Sequence, residues 1–158
     1  MTPDVNVLMT PDVNVLIAAF RRDHQHHAVA LQWLDGARVA CAEGRASLTL
    51  LPMVIVGFLR LVTNRRVFIE PDSTEDAVTF VDALLGSPGV ELQPCGEEWP
   101  ILRSKLIARG HKGNEVTDAW IASATESCSE HLVTFDHDFL NLLSPGDLTL
   151  LAVETESD

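Results

Sequence analysis

The sequence predicts an α/β fold in a single domain, with a central, mostly parallel sheet and helices on both faces. Three observations predict it. Short apolar runs of strand length alternate with longer stretches whose apolar residues recur at helical spacing. Hydrophobic residues make up 46% of the 158, enough for a sizeable core in one domain. No linker or low-complexity tract divides the chain.

The chain opens on a perfect repeat, Met1 to Leu8 followed by the same octad from Met9 to Leu16. The second copy runs straight into Ile17-Ala18-Ala19-Phe20. Residues 1–8, with Asp4, are therefore expected to be a tail, and the domain to span 9–153 before an acidic tail at 154–158. The converse arrangement, with the second copy looped out, would lose the short link from strand to helix.

Val13 to Leu16 reads as a short buried strand leading into helix through Phe20. Ala28, Leu31 and Leu34 mark a helical stretch over 24–34, and 37–42 suits a short strand. Residues 50–62 read as a buried helix with Pro52 in its first turn. Ser73-Thr74-Glu75-Asp76 starts a helix whose apolar face is Ala77, Phe80, Val81, Leu84 and Leu85, and Ser87-Pro88-Gly89 ends it. Val90 to Leu92 is a strand. Residues 99–108 form a helix stopped by Arg109-Gly110, and 115–127 form another. A strand at 131–134, a turn at Ser144-Pro145-Gly146-Asp147 and a last strand at 148–153 complete the chain.

Composition excludes several classes. No apolar run approaches the ~18 residues of a membrane span; the longest, Leu48 to Leu59, is broken by Thr49, Pro52 and Gly57. The N-terminus carries no basic segment followed by a long apolar one, so no signal peptide is expected. Cys41, Cys95 and Cys128 form neither a metal-ligand pattern nor an even disulfide set, which suits reduced cysteines in the cytoplasm. A net charge of −12 argues against broad electrostatic binding of nucleic acid, although a bound metal and a few arginines, or a basic partner segment, would compensate it. A phosphate-binding Gly-rich loop and a Gly-x-Ser-x-Gly elbow are both absent.

Three aspartates carry the functional signal. Asp12 opens a strand-to-helix unit, Asp118 is expected in the first turn of its helix, and Asp136 follows the Leu132-Val133-Thr134 strand. Each alone suits a cap or a turn, and a helix N-terminus favours a carboxylate. Together, at the edges of apolar runs, they suggest one shared site outside the carboxyl ends of the strands. The natural partner of clustered carboxylates is a hard cation, Mg²⁺ or Mn²⁺.

Four pieces in order, Asp12-Val13-Asn14-Val15-Leu16, Gly57 to Asn64, Gly113 to Ala119 with Ile121-Ala122, and Leu132 to Asp136, resemble the PIN-domain family. The nearest likeness is to the VapC-type toxins of toxin–antitoxin pairs, from residue 9 to about residue 150. The resemblance implies a PIN-like fold and a metal-dependent endoribonuclease that is homodimeric and silenced by a cognate VapB-like antitoxin in a hetero-oligomer. It assigns the catalytic and metal-site roles to Asp12, Asp118 and Asp136. It further implies hydrolysis of transfer or ribosomal RNA to 5′-phosphate and 3′-hydroxyl ends, and an antitoxin segment lying along the active-site groove. The family usually carries a glutamate two residues before the glycine of the Gly57 segment; that position is Ile55, and no acid occurs between Glu43 and Glu70. Glu115 and Asp138 are the candidate substitutes. The alternative is thus a weak or inactive PIN domain that acts by binding antitoxin or RNA.

Supporting roles fall to Asn14, for backbone or the Asp12 carboxylate, and to Thr134, either for orienting a metal-site water or as an ordinary strand residue. Arg60, Arg65 and Arg66 are the best local basic cluster, suited to RNA phosphates or to a solvated helix end. His24, His26 and His27 fit a polar helix start better than a metal tract. Trp33, Trp99 and Trp120 are expected in the core or an interface, with faces around Trp33 and Leu59 available to a dimer.

Overall fold

The computed structural model describes residues 7–94, 96–128 and 130–152. Five strands form one sheet in the order β3-β2-β1-β4-β5, every neighbouring pair parallel. They are β1 (Val7–Pro11), β2 (Ala46–Leu50), β3 (Val90–Leu92), β4 (His131–Thr134) and β5 (Leu148–Leu150). The helices are α1 (Val13–Phe20), α2 (His27–Ala42), α3 (Pro52–Val62), α4 (Thr74–Leu85), α5 (Trp99–Arg109) and α6 (Asn114–Ser127).

The connections explain the layers. β1 to β2 and β2 to β3 step one way across the sheet; β3 to β4 steps back over it. Right-handed crossovers therefore place α1–α4 on one face and α5–α6 on the other. The direction reverses between β1 and β4, which is where open α/β sheets leave a crevice at the strand carboxyl ends.

Local signals account for most elements. Ser73 caps α4 by accepting from the Asp76 backbone N–H at 3.0 Å. Pro52 occupies the first turn of α3, where no intrahelical donor is needed. Gly110 closes α5 at φ 64°, a left-handed cap that suits glycine. The core joins Leu16, Leu48, Leu50, Val54, Phe58 and Leu132, all fully buried. Phe20, Phe58 and Phe80 stack around one another with centroids 5.0–5.4 Å apart, tying α1, α3 and α4 together.

Several expectations are corrected. Residues 13–16 are helix, not strand; the strand is β1, ending at Pro11. A short apolar run carries no periodicity that separates buried strand from buried helix, and here Val15 to Ala19 is buried on every side of α1. Val7 and Leu8, expected in the tail, pair with Ala46 and Ser47 as the first residues of β1. Asp4 and the acidic tail from Glu154 lie outside the described residues. Residues 37–42 continue α2, whose buried Ala30, Leu34, Ala37 and Cys41 keep helical spacing while Val39 faces outward. β2 stands where the sequence reading passed from loop to helix. The last strand ends at Leu150, although the Leu151 N–H still reaches the Thr134 carbonyl at 2.9 Å. The later part of its expected span, Val153, is outside the described residues.

Among the described residues no helix is long and apolar enough to cross a membrane. Cys41 and Cys128 are free thiols; Cys95 lies outside the described residues. The histidines serve the turn from α1 to α2: His24 Nδ1 accepts from the His26 N–H, His27 Nδ1 pairs with the Ala18 carbonyl, and His26 stacks on Phe135.

Candidate active site

Asp12 follows β1 and caps α1. Its backbone N–H donates to the Val133 carbonyl at 2.9 Å, which locks the carboxyl ends of β1 and β4 side by side. Its Oδ1 accepts from the Val13 N–H at 2.7 Å, and its Oδ2 accepts from the Thr134 hydroxyl at 2.7 Å. The residue is only 5% exposed.

Thr134 is the hub of the turn out of β4. Fully buried, it also accepts from the Asp136 backbone N–H at 3.0 Å. Asn14 Nδ2 donates to its oxygen at 3.3 Å, and Asn14 Oδ1 accepts from the Phe135 N–H at 3.4 Å. Of the two roles open to Asn14, the structure shows the backbone one, with contact to Asp12 only through Thr134. Asp136 caps the short 3-10 turn at His137–Asn141, accepting from the Asp138 N–H at 2.9 Å.

Asp118 approaches from the opposite face on α6. It is the helix's fifth residue, in the second turn rather than the first. Gly113, at φ 62°, sets the entry to that helix. A capping role is thereby removed, and no hydrogen bond from the described residues contributes to holding the Asp118 carboxylate as an anion.

These three aspartates and Asn14 border one groove of about 670 Å³. Arg60 and Trp120 line it as well, with an apolar wall from Pro52, Met53, Val56, Leu61 and Ile121. Its volume falls within the ~300–1,000 Å³ usual for ligand clefts. The groove is electrostatically strained. Burial, outweighing the Thr134 and Val13 hydrogen bonds, pushes the Asp12 carboxyl up to about 6 from an ordinary 3.8, and Asp136 adds repulsion. Asp118 is also pushed up to about 6, by burial first and then by Asp12, Asp136, Asp138 and Glu115. None of the three aspartates is paired with a lysine or arginine among the described residues.

An all-oxygen donor set with mutual repulsion and no cationic side chain suits a hard divalent ion. The described residues hold no ready-formed cage of three or more such ligands, so the aspartates border a common space rather than converge on one point. Asp118, without a hydrogen bond from the described residues to fix its rotamer, could turn toward an ion in this space.

The other sequence candidates divide. Arg60 lines the groove; Arg65 and Arg66 sit exposed on the turn after α3 and do not. Glu115 bonds His111 at 2.9 Å, and neither it nor exposed Asp138 borders the groove, although both add repulsion at Asp118. Ile55 packs against the core, whereas Met53, Val56 and Gly57 face the groove. Gly57 also allows close approach to α1, since a Cβ there would stand 3.1 Å from Val13 Cγ2. Trp120, expected in the core or an interface, borders the groove. Glu98, which no motif marked, anchors it through the indole N–H at 2.8 Å. Only a buried acid just before Trp99 could have signalled it.

The PIN domain family model matches residues 9–142. The chain belongs to the PIN-domain family. Among its relatives is the VapC ribonuclease Mb2897 of Mycobacterium bovis, 38% identical over 121 residues, covering 76% of this chain and 74% of that protein. Ribonuclease VapC25 of Mycobacterium tuberculosis is 33% identical over 142 residues, covering 89% and 92%. These place the PIN domain among the VapC-type proteins. A crystal structure of VapBC2 from Rickettsia felis, bound to a DNA fragment from their promoter, superposes with a TM-score of 0.61 at 18% identity. It covers 92% of this chain and all of that one, and supports the fold.

Proposed function

We propose that this PIN domain is a metal-dependent endoribonuclease, the toxin of a toxin–antitoxin pair. The observation that carries the reading is the meeting of Asp12, Asp118 and Asp136 in one groove at the sheet's switch point, unpaired with cationic side chains. The ribonuclease names of its VapC relatives supply the reaction class.

Asp12, Asp118 and Asp136 would hold Mg²⁺ or Mn²⁺. Such an ion, when bound, acidifies water and offsets charge on a phosphoryl group. The chain's own groups prepare the site. Thr134 holds Asp12 and the Asp136 turn in register, and Asn14 holds Thr134. Arg60 offers a positive charge to the phosphate backbone, which the net charge of −12 otherwise repels. The apolar wall keeps water from the flank of the groove. No side-chain nucleophile is required.

A VapB-like antitoxin is the proposed partner, as the VapBC2 neighbour was solved with its own. Its segment would lie along the groove, apolar side chains on Met53 and Val56 and an arginine toward the aspartates. The acidic chain suits a basic partner. A homodimer and a toxin–antitoxin hetero-oligomer in the cytoplasm complete the reading, with transfer or ribosomal RNA as substrate.

One observation favours a second reading. The α3 wall carries no acid, so the domain binds RNA or antitoxin with little turnover. The deciding experiment incubates pooled transfer and ribosomal RNA with the protein and Mg²⁺ or Mn²⁺. Cleavage that needs metal and vanishes in Asp118→Ala supports the nuclease. Metal binding without cleavage moves the conclusion to a binding domain.

A further inference from the structure

Trp120 is an unusual wall for a groove of carboxylates. It lies on α6, one turn beyond Thr117, on the element that carries Asp118. It is 37% exposed and borders the groove that Asp12 and Asp136 share. Its Nε1 donates to Glu98 Oε1 at 2.8 Å, and Glu98 Oε2 accepts from the Gly96 N–H at 2.7 Å. Glu98 is 6% exposed and forms no ion pair with the described residues. Burial pushes the Glu98 carboxyl up, but the hydrogen bonds from Trp120 and the Gly96 N–H more than offset this and hold it below the usual range, and what it anchors is one edge of the indole. The polar atom of the ring is therefore satisfied away from the groove, and the remaining exposed part of the ring is free for contact.

Across the groove stand Met53 and Val56 of α3, the latter 63% exposed, with Arg60 one turn further on. An anchored aromatic ring on one wall, apolar side chains on the other and a guanidinium nearby are what an unstacked base beside a phosphate requires. A core tryptophan would be covered, and a tryptophan free in solvent would not be tied down.

We propose that Trp120 stacks on the base adjacent to the phosphate held at the three aspartates, with Glu98 as the residue that positions its ring. The proposal rests on the ribonuclease reading. Stacking is tolerant of base identity, so Trp120 sets affinity and the placement of the strand, while the aspartates carry the chemistry.

The test measures binding of a short, mixed-sequence, fluorescein-labelled single-stranded oligoribonucleotide, with Ca²⁺ in place of Mg²⁺. Trp120→Phe, which keeps an aromatic face but loses the hydrogen bond to Glu98, should weaken binding less than Trp120→Leu does. Trp120→Leu should raise Kd about tenfold, ~1.4 kcal/mol. Glu98→Gln, which keeps an acceptor, should bind like the wild type, and Glu98→Ala should weaken binding without altering metal affinity. In a Trp33→Phe, Trp99→Phe background, where Trp120 is the sole indole, the RNA should quench its fluorescence; this readout does not depend on the stability of the leucine variant. Wild-type binding with neither quenching nor a change in Trp120→Leu overturns the stacking role and leaves the nuclease reading standing, with this wall assigned to a protein partner. Failure of the wild type to bind RNA overturns both.

Discussion

Replacing Asp12 by asparagine should stabilise the metal-free protein at neutral pH. The Asp12 carboxyl sits at about 6 in the fold against an ordinary 3.8, a rise of about two units caused first by burial. At ~1.36 kcal/mol per unit, its ionised form opposes folding by up to ~3 kcal/mol. The folded chain holds this proton more tightly, so stability is greatest below the unfolded value and declines as pH rises through the folded one. Asparagine carries no charge to desolvate, and its amide oxygen can still accept from the Val13 N–H or the Thr134 hydroxyl. Removing the charge also relieves Asp118, which Asp12 repels. Urea unfolding in the presence of chelator, at about pH 4 and about pH 8, measures the effect. The variant should match the wild type at the lower pH and exceed it by about 2–3 kcal/mol at the higher. Added Mn²⁺ should stabilise the wild type and barely move the variant, since only a folded-state ligand site yields that gain. A difference that is the same at both pH values, or a variant less stable at the higher, would refute the argument that Asp12 is a strained, desolvated acid.

Thr134→Val removes the hydroxyl that donates to Asp12 and accepts from Asp136. Mn²⁺ affinity by calorimetry should fall about 10- to 100-fold, the usual effect of losing a partner of a metal ligand. Arg21 is buried against Asp72, the Glu70 carbonyl and the Phe68 ring. Because the Asp72 carboxylate left behind is partly solvated, Arg21→Ala should cost about 1–3 kcal/mol, chiefly by lost packing and hydrogen bonds, and limited proteolysis should then cut between α3 and α4. Val56→Glu places an acid on the exposed groove wall; it should change stability by less than ~0.5 kcal/mol and tighten Mn²⁺ binding. Ile55→Glu, directed at the core, should cost about 1–3 kcal/mol with no gain in metal affinity.

Much of the fold was legible because it rests on local chemistry. The Ser73 cap, Pro52 at a helix start, Gly110 at a helix end and the apolar periodicity of α4 act within a few residues, so the chain displays them directly. The parallel sheet followed from alternation alone. What misled the reading was the run Val13 to Ala19. A helix buried on every side has the same composition as a buried strand, and only the neighbours that cover it decide between them. β2 was hidden for a related reason: its five residues adjoin Leu51 and Pro52 with no turn signal to separate them.

The sequence by itself singled out three carboxylates that the fold brings to one groove. Asp12, Asp118 and Asp136 each adjoin an apolar run, and their order along the chain matches a PIN domain. Only the tertiary structure decided what surrounds them. Reversal of strand order brings the ends of β1 and β4 together, and packing of α6 sets Asp118 against them from the other face. That packing made Thr134 a hub rather than an ordinary strand threonine. It left Ile55 half-buried against the core and Val56 exposed, and it tied Trp120 to Glu98. Such outcomes depend on helix rotation and on contacts between residues as much as 122 positions apart. No local propensity encodes these, because they arise when separate elements bury their apolar faces against one another.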